Sequence, residues 1–236
     1  MLKILKNIRN SVFLLAIFLS SFSNLEAKNS KDVSNTEVKR KTISHTKKYS
    51  LTLANSKDGH PVRSGKKSYR FEVRLGDCGK DSGHDDCKKD RQRTELQFKK
   101  HQMGKKDHWY SASIYLPEDY QSVAPVRTTF AQLYEKGWKP ILMITDRSGE
   151  WLEVGRMWSG EYVEMKKAIR INDMRGKWTD VLINARYSRE ENGFMKVWIN
   201  NKLILNAENI KNITPYTKRG VGLYFGIYQT FVSGWT

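Results

Sequence analysis

The chain has 236 residues, 42 of them Lys or Arg against 25 Asp or Glu, for a formal charge of +17. At 39% apolar and 11% aromatic it is too hydrophobic for a disordered protein, and its length suits one large domain or two small ones. Two cysteines exclude a disulfide-rich scaffold and a four-cysteine zinc site, and no apolar run approaches the roughly 18 residues of a spanning helix.

In chain order, Met1 to Ala27 reads as a secretory signal peptide. Lys3, Lys6 and Arg9 form a basic start, Val12 to Phe22 an apolar stretch, and Leu25-Glu26-Ala27 a small-residue end. The expected location is therefore extracellular or periplasmic. A basic exported protein meets anionic polysaccharides or membrane surfaces rather than nucleic acid. Residues 28–48 are polar, basic and aperiodic, and are expected to form a flexible arm.

From Tyr49 onward the hydrophobic pattern has mostly period two. Tyr69 to Leu75 puts Tyr69, Phe71, Val73 and Leu75 on one face. Arg91 to Phe98 puts Arg91, Arg93, Glu95 and Gln97 on one face, with Thr94, Leu96 and Phe98 on the other. Further strands are expected at 109–116, 128–134, 141–145, 181–187 and 194–199. Asn200-Asn201 suits a tight turn, because Asn tolerates positive φ, and 202–205 would return from it. The last strand, 222–231, sends Leu223, Phe225, Ile227 and Phe231 inward and shows Gly222, Tyr224, Gly226, Tyr228 and Thr230 on its other face. Glu161 to Ile171 is ambiguous. Many strands with few helices indicate an all-β sandwich or barrel, and the Arg, Gln and Tyr on the polar faces suggest a groove for an extended polar ligand.

Three segments carry a family resemblance. Arg91-Gln92-Arg93-Thr94-Glu95-Leu96 matches the R-[ST]-E-L strand of alginate and glucuronan lyases. Gln132-Leu133-Tyr134 stands where alginate lyases have Q-[IV]-H. Tyr224-Phe225-Gly226-Ile227-Tyr228 resembles their K-x-G-x-Y strand and the similar strand of heparin lyase I relatives. Residues 61–66, the Cys78 to Cys87 region and Lys196-Val197-Trp198-Ile199-Asn200 fit the same broad group. The resemblance covers residues 49–236 and implies a concanavalin A-like β-jelly-roll of two antiparallel sheets. It also implies β-elimination on a uronic-acid polymer, with no required cofactor. Tyr134 replaces the family histidine and Tyr224 the family lysine.

Such an elimination needs the uronate carboxylate neutralised, a base at C5 and an acid at the leaving oxygen. The resemblance implies Arg93 and Gln132 for the carboxylate, Tyr228 for proton transfer and Tyr134 as the replaced base. Arg91, Glu95 and Tyr224 are implied for substrate binding. Gln132 is expected to share its face with Tyr134 and Phe130. His45, His60, His84, His101 and His108 are further base candidates. Asp77, Asp85 and Asp86 are candidate calcium ligands, and export favours a Cys78–Cys87 disulfide over a zinc site with His84. A non-catalytic carbohydrate-binding module is the second reading, and a basic surface- or nucleic-acid-binding protein the third. A glycosidase would need two carboxyl groups from Glu72, Glu95 and Glu153. A monomer is expected.

Overall fold

The computed structural model describes residues 38–40, 47–81, 84–98, 106–135, 137, 139–217 and 219–235. The expected signal peptide, most of the expected arm, His45 and His101 lie outside the described residues.

The expected two-sheet antiparallel sandwich is what the chain forms. A seven-stranded sheet runs in the order β1 (Val38–Arg40), β6 (Arg91–Phe98), β15 (Val221–Thr230), β8 (Arg127–Glu135), β9 (Pro140–Asp146), β10 (Trp151–Trp158), β11 (Glu161–Arg170). A four-stranded sheet runs β14 (Lys202–Ile210), β13 (Gly193–Ile199), β12 (Trp178–Arg186), β7 (Asp107–Tyr115). Two small hairpins join β2 (Leu51–Asn55) to β3 (Lys67–Phe71) and β4 (Lys80–Asp81) to β5 (His84–Asp85).

Alternation builds the core between the sheets. Leu133, Leu142, Ile144, Leu152, Val154 and Leu223 of the large sheet meet Ile183, Ala185, Met195, Val197 and Leu205 of the small one, all essentially buried. A second, smaller cluster lies on the opposite face of the large sheet, where Met143, Met157 and Tyr228 gather with Tyr162 against them. This is why Ile141-Leu142-Met143-Ile144 reads as a continuous apolar run: β9 is covered on both faces.

Several expectations are confirmed in detail. Asn200 and Asn201 both take left-handed φ, 48° and 64°, and close the hairpin that pairs Ile199 with Lys202. Cys78 and Cys87 form a disulfide across a Cα–Cα distance of 5.1 Å.

Others need correcting. Val38–Arg40, inside the expected arm, is a strand paired with β6 as Val38↔Phe98 and Arg40↔Leu96. The strand expected to reach Leu75 ends at Phe71, because Glu72 draws in both Arg70 and Arg74 at 2.6 and 2.7 Å and Asp77 accepts from the Arg74 amide. Leu75 is left exposed. Glu161–Arg170 is a strand, followed by a single helical turn, Ile171–Met174. Phe130 lies in the core, away from Gln132, because a bulge between Thr129 and Ala131 changes the alternation of β8. Phe231 is also out of place: its φ is +64°, it follows the end of β15 and it is 66% exposed.

Candidate active site

The face of the large sheet that looks away from the core gathers the residues singled out by motif. In register, Tyr228 of β15 lies opposite Arg93 of β6 on one side and Thr129 of β8 on the other. Tyr224 lies between Gln97 and Gln132 in the same way. Arg93, Gln132 and Tyr228 therefore share one face. Gly226 sits between the two tyrosines at φ +138°, in a bulge where a Cβ would overlap the Thr94 carbonyl and crowd Phe71. The glycine thus serves close strand packing at the bulge.

Arg93 is at the centre of a buried polar network. Its Nε and one terminal nitrogen donate to both oxygens of Asp86 at 2.6 and 2.7 Å, and the other donates to Glu95 at 3.3 Å. Glu95 also accepts from the Gln132 amide at 2.7 Å. Arg93, Asp86, Glu95 and Gln132 are each at most 5% exposed. Three of the five guanidinium N–H groups are thus engaged within the protein. The open carboxylate-binding fork expected of Arg93 is instead closed on Asp86. Glu95, expected to touch substrate, is buried and orients Arg93 and Gln132.

Above this network the guanidinium of Arg93 stacks on the Tyr228 ring, 4.0 Å from its centroid. Burial raises the Tyr228 phenol above its ordinary value, and Arg93 and Arg91 oppose that rise. Tyr134 is raised for the same first reason, with Tyr228 adding to the rise and Arg93 and Arg91 opposing it. Tyr224 is pushed up to about 12 by burial, then by Glu95 and Tyr134. Its ring packs edge-on against Tyr134 at 5.6 Å and is 3% exposed, so it is packed into the sheet face rather than forming a separate open subsite. All three phenols are held in the protonated form at neutral pH.

The histidines separate clearly. His60 is exposed in a loop, and His108 stacks on Tyr187 by the small sheet at 5.3 Å. His84 lies in β5, two residues before Asp86. Burial and Lys89 lower its pKa, Asp86 opposes, and Arg93 and Arg91 lower it further. Its imidazole is therefore in the base form at neutral pH, in the field of the Arg91–Arg93 face.

The calcium reading is not supported by the placement of its ligands. Asp77 accepts from the Tyr49 hydroxyl and the Arg74 amide, Asp85 from the Lys88 amide, and Asp86 from Arg93. Among the described residues no group of three or more His, Cys, Asp or Glu is gathered in a metal-binding arrangement. The carboxyl groups needed for hydrolysis are dispersed as well: Glu72 holds Arg70 and Arg74, Glu95 is buried, and Glu153 pairs in register with Lys167.

Sequence reasoning missed Tyr162. It projects from β11 over Gly155, where a Cβ would overlap its ring, and its hydroxyl donates to the Met143 sulfur at 3.5 Å. Arg127 donates to that hydroxyl at 3.3 Å, and the Arg147 guanidinium lies 5.1 Å from the ring centroid. The signal lay in register, in the pairing of Met157 with Tyr162, which no local motif carries.

Comparison with known proteins agrees with this architecture. Among solved structures, an endo-β-1,4-glucuronan lyase from the fungus Trichoderma reesei superposes with a TM-score of 0.56 at 14% identity, covering 82% of this chain and 84% of that one. An alginate lyase aligns with a TM-score of 0.47 at 12% identity, over 81% of this chain and 85% of that one. No curated protein sequence matches the chain. A family model described as "Polysaccharide lyase" matches residues 33–236, a span that takes in the disulfide loop, every cleft strand and the β1 segment that the motifs left out. The chain belongs to that polysaccharide lyase family.

Proposed function

We propose that this polysaccharide lyase is exported and cleaves a uronic-acid polymer by β-elimination. The observation that carries the reading is Tyr228, a protonated phenol fixed under the Arg93 guanidinium on the cleft face. A polymer with a carboxylate on its sugars matches the strongly basic chain. The basic start and apolar stretch of residues 1–27 support export, and the disulfide is consistent with an oxidising compartment.

In this reading the polymer lies across the strands over Tyr228. The uronate carboxylate meets Arg91 and the two guanidinium N–H groups of Arg93 that the Asp86–Glu95 network leaves uncommitted. That charge stabilises the negative charge developing on the carboxylate as C5 loses its proton. We assign this proton to His84, two residues before the Asp86 that holds Arg93 and with Lys89 at its Nε2, because its imidazole is held in the base form, whereas Tyr228, Tyr134 and Tyr224 are protonated. Tyr228 gives its proton to the C4 oxygen as the C4–O bond breaks. The product is a 4,5-unsaturated uronate and a new chain end.

The test is incubation with a panel of uronans, neutral glycans and sulfated glycans while following ultraviolet absorbance of the unsaturated product. Absorbance growth on a uronan is expected. Binding of a uronan without any such product would instead favour the carbohydrate-binding module.

A further inference from the structure

Arg127 and Arg147 converge on Tyr162, which lies on the edge strand β11 against the Met143–Met157–Tyr228 cluster. Among the described residues neither forms an ion pair, in contrast to Arg63, Arg93 and Arg186, each of which holds a carboxylate at 2.6 to 2.7 Å. The Arg127 Nε is buried and has no hydrogen-bond partner, so a strong donor has been withdrawn from water without compensation. Two guanidinium groups gathered around one aromatic ring with no carboxylate between them repel each other. An anion seated between them removes both costs.

The position relates this cluster to the reaction. Tyr162 packs against the cluster that Met143, Met157 and Tyr228 form, so the two arginines around its ring stand beside the cluster that contains Tyr228. The Tyr228 strand β15 and the Met143 strand β9 are separated by β8, which puts their backbones roughly 10 Å apart. In the uronan reading, a polymer crossing the strands over Tyr228 continues onto β8, where Arg127 stands in register with Thr230, and carries its neighbouring sugar there. Gly155 is what lets the Tyr162 ring lie over the sheet there, since a larger residue would displace it.

We propose that Arg127, Arg147 and the Tyr162 hydroxyl form an anion subsite for the carboxylate of the uronate adjacent to the one that is cleaved. The assignment rests on the uronan reading given above. It makes the enzyme selective for runs of consecutive uronates over polymers in which charged and neutral sugars alternate.

The experiment uses the full chain and its Arg127→Gln, Arg147→Gln, double and Tyr162→Phe variants. Turnover on the best uronan is measured alongside calorimetric binding of an oligouronate and of a neutral oligosaccharide of equal length. The double variant is expected to weaken oligouronate binding and raise KM by about 10–100-fold, with kcat changed far less. Its salt dependence should flatten, and neutral-oligosaccharide binding should stay as in wild type. Tyr162→Phe should show a milder loss of the same kind. Arg147 is exposed, so Arg147→Gln alone should keep the wild-type unfolding midpoint and still weaken oligouronate binding. Unchanged oligouronate affinity and salt slope in Arg147→Gln and the double variant, with the wild type cleaving uronan, would overturn the subsite and leave the lyase reading intact. A wild type that neither binds nor cleaves any uronan would overturn both.

Discussion

Asp86 holds Arg93 by both carboxylate oxygens, at 2.6 and 2.7 Å, from a hairpin that the Cys78–Cys87 disulfide ties beside β6. The two residues are almost fully buried. The arginine most strongly marked by motif is thus first a structural anchor, which aims its guanidinium over Tyr228 and leaves one edge for the substrate carboxylate in the proposed reaction.

Removing one partner of such a pair leaves an uncompensated buried charge. Asp86→Ala is expected to destabilise the fold by about 3–5 kcal/mol. Urea unfolding should show a lowered midpoint with an unchanged slope. A wild-type midpoint would show that the pair does not anchor the cleft.

The disulfide closes a loop with a sequence separation of nine. In the loop-entropy picture its loss costs about 2–3 kcal/mol. Paired Cys78→Ser and Cys87→Ser substitutions should lower the unfolding midpoint accordingly. They should also speed amide exchange in β5, which carries His84. Unaltered exchange there would show that the hairpin is held by Asp86 alone.

Buried phenols give the fold an alkaline limit. Tyr110 and Tyr224 are both pushed up to about 12, mainly by burial, from an ordinary value of 10. The folded state then holds these protons more tightly than the unfolded state, so their contribution is complete below pH 10. It is lost as pH rises from about 10 to about 12. Tyr110→Phe should flatten the decline in stability measured by urea titration across that window. An equally steep decline in the variant would contradict this source.

His84 has the opposite sign. Its pKa is lowered from 6.5, so the base form persists to slightly acidic pH. The acid limb of kcat/KM is expected below pH 6.5, and His84→Gln should reduce turnover by about 10²–10⁴. An acid limb centred above 6.5, or near-wild-type turnover in the variant, would remove His84 from the role of base.

The cleft was partly legible in the sequence because β6 and β15 alternate cleanly, which places Arg93 and Tyr228 on a common face. Less visible was what each side chain would do there. Asp86 looked like part of an acidic loop, and only the folded hairpin brings it to Arg93. Trp151–Trp158 shows no simple pattern because its Leu152 and Val154 enter one core while Met157 joins the second cluster. The bulge at Thr129 and Ala131 hid the true side of Phe130. Tyr162, Arg127 and Arg147 come from three segments with no shared motif, so only strand order and register bring them together.

The most direct test of the account compares wild type with Tyr228→Phe on the best uronan, following unsaturated product and oligouronate affinity together. The substitution keeps the ring under Arg93 and removes only the phenolic proton. Turnover is predicted to fall by about 10²–10⁴ with affinity nearly unchanged; equal turnover in the two proteins would contradict the central role given to Tyr228.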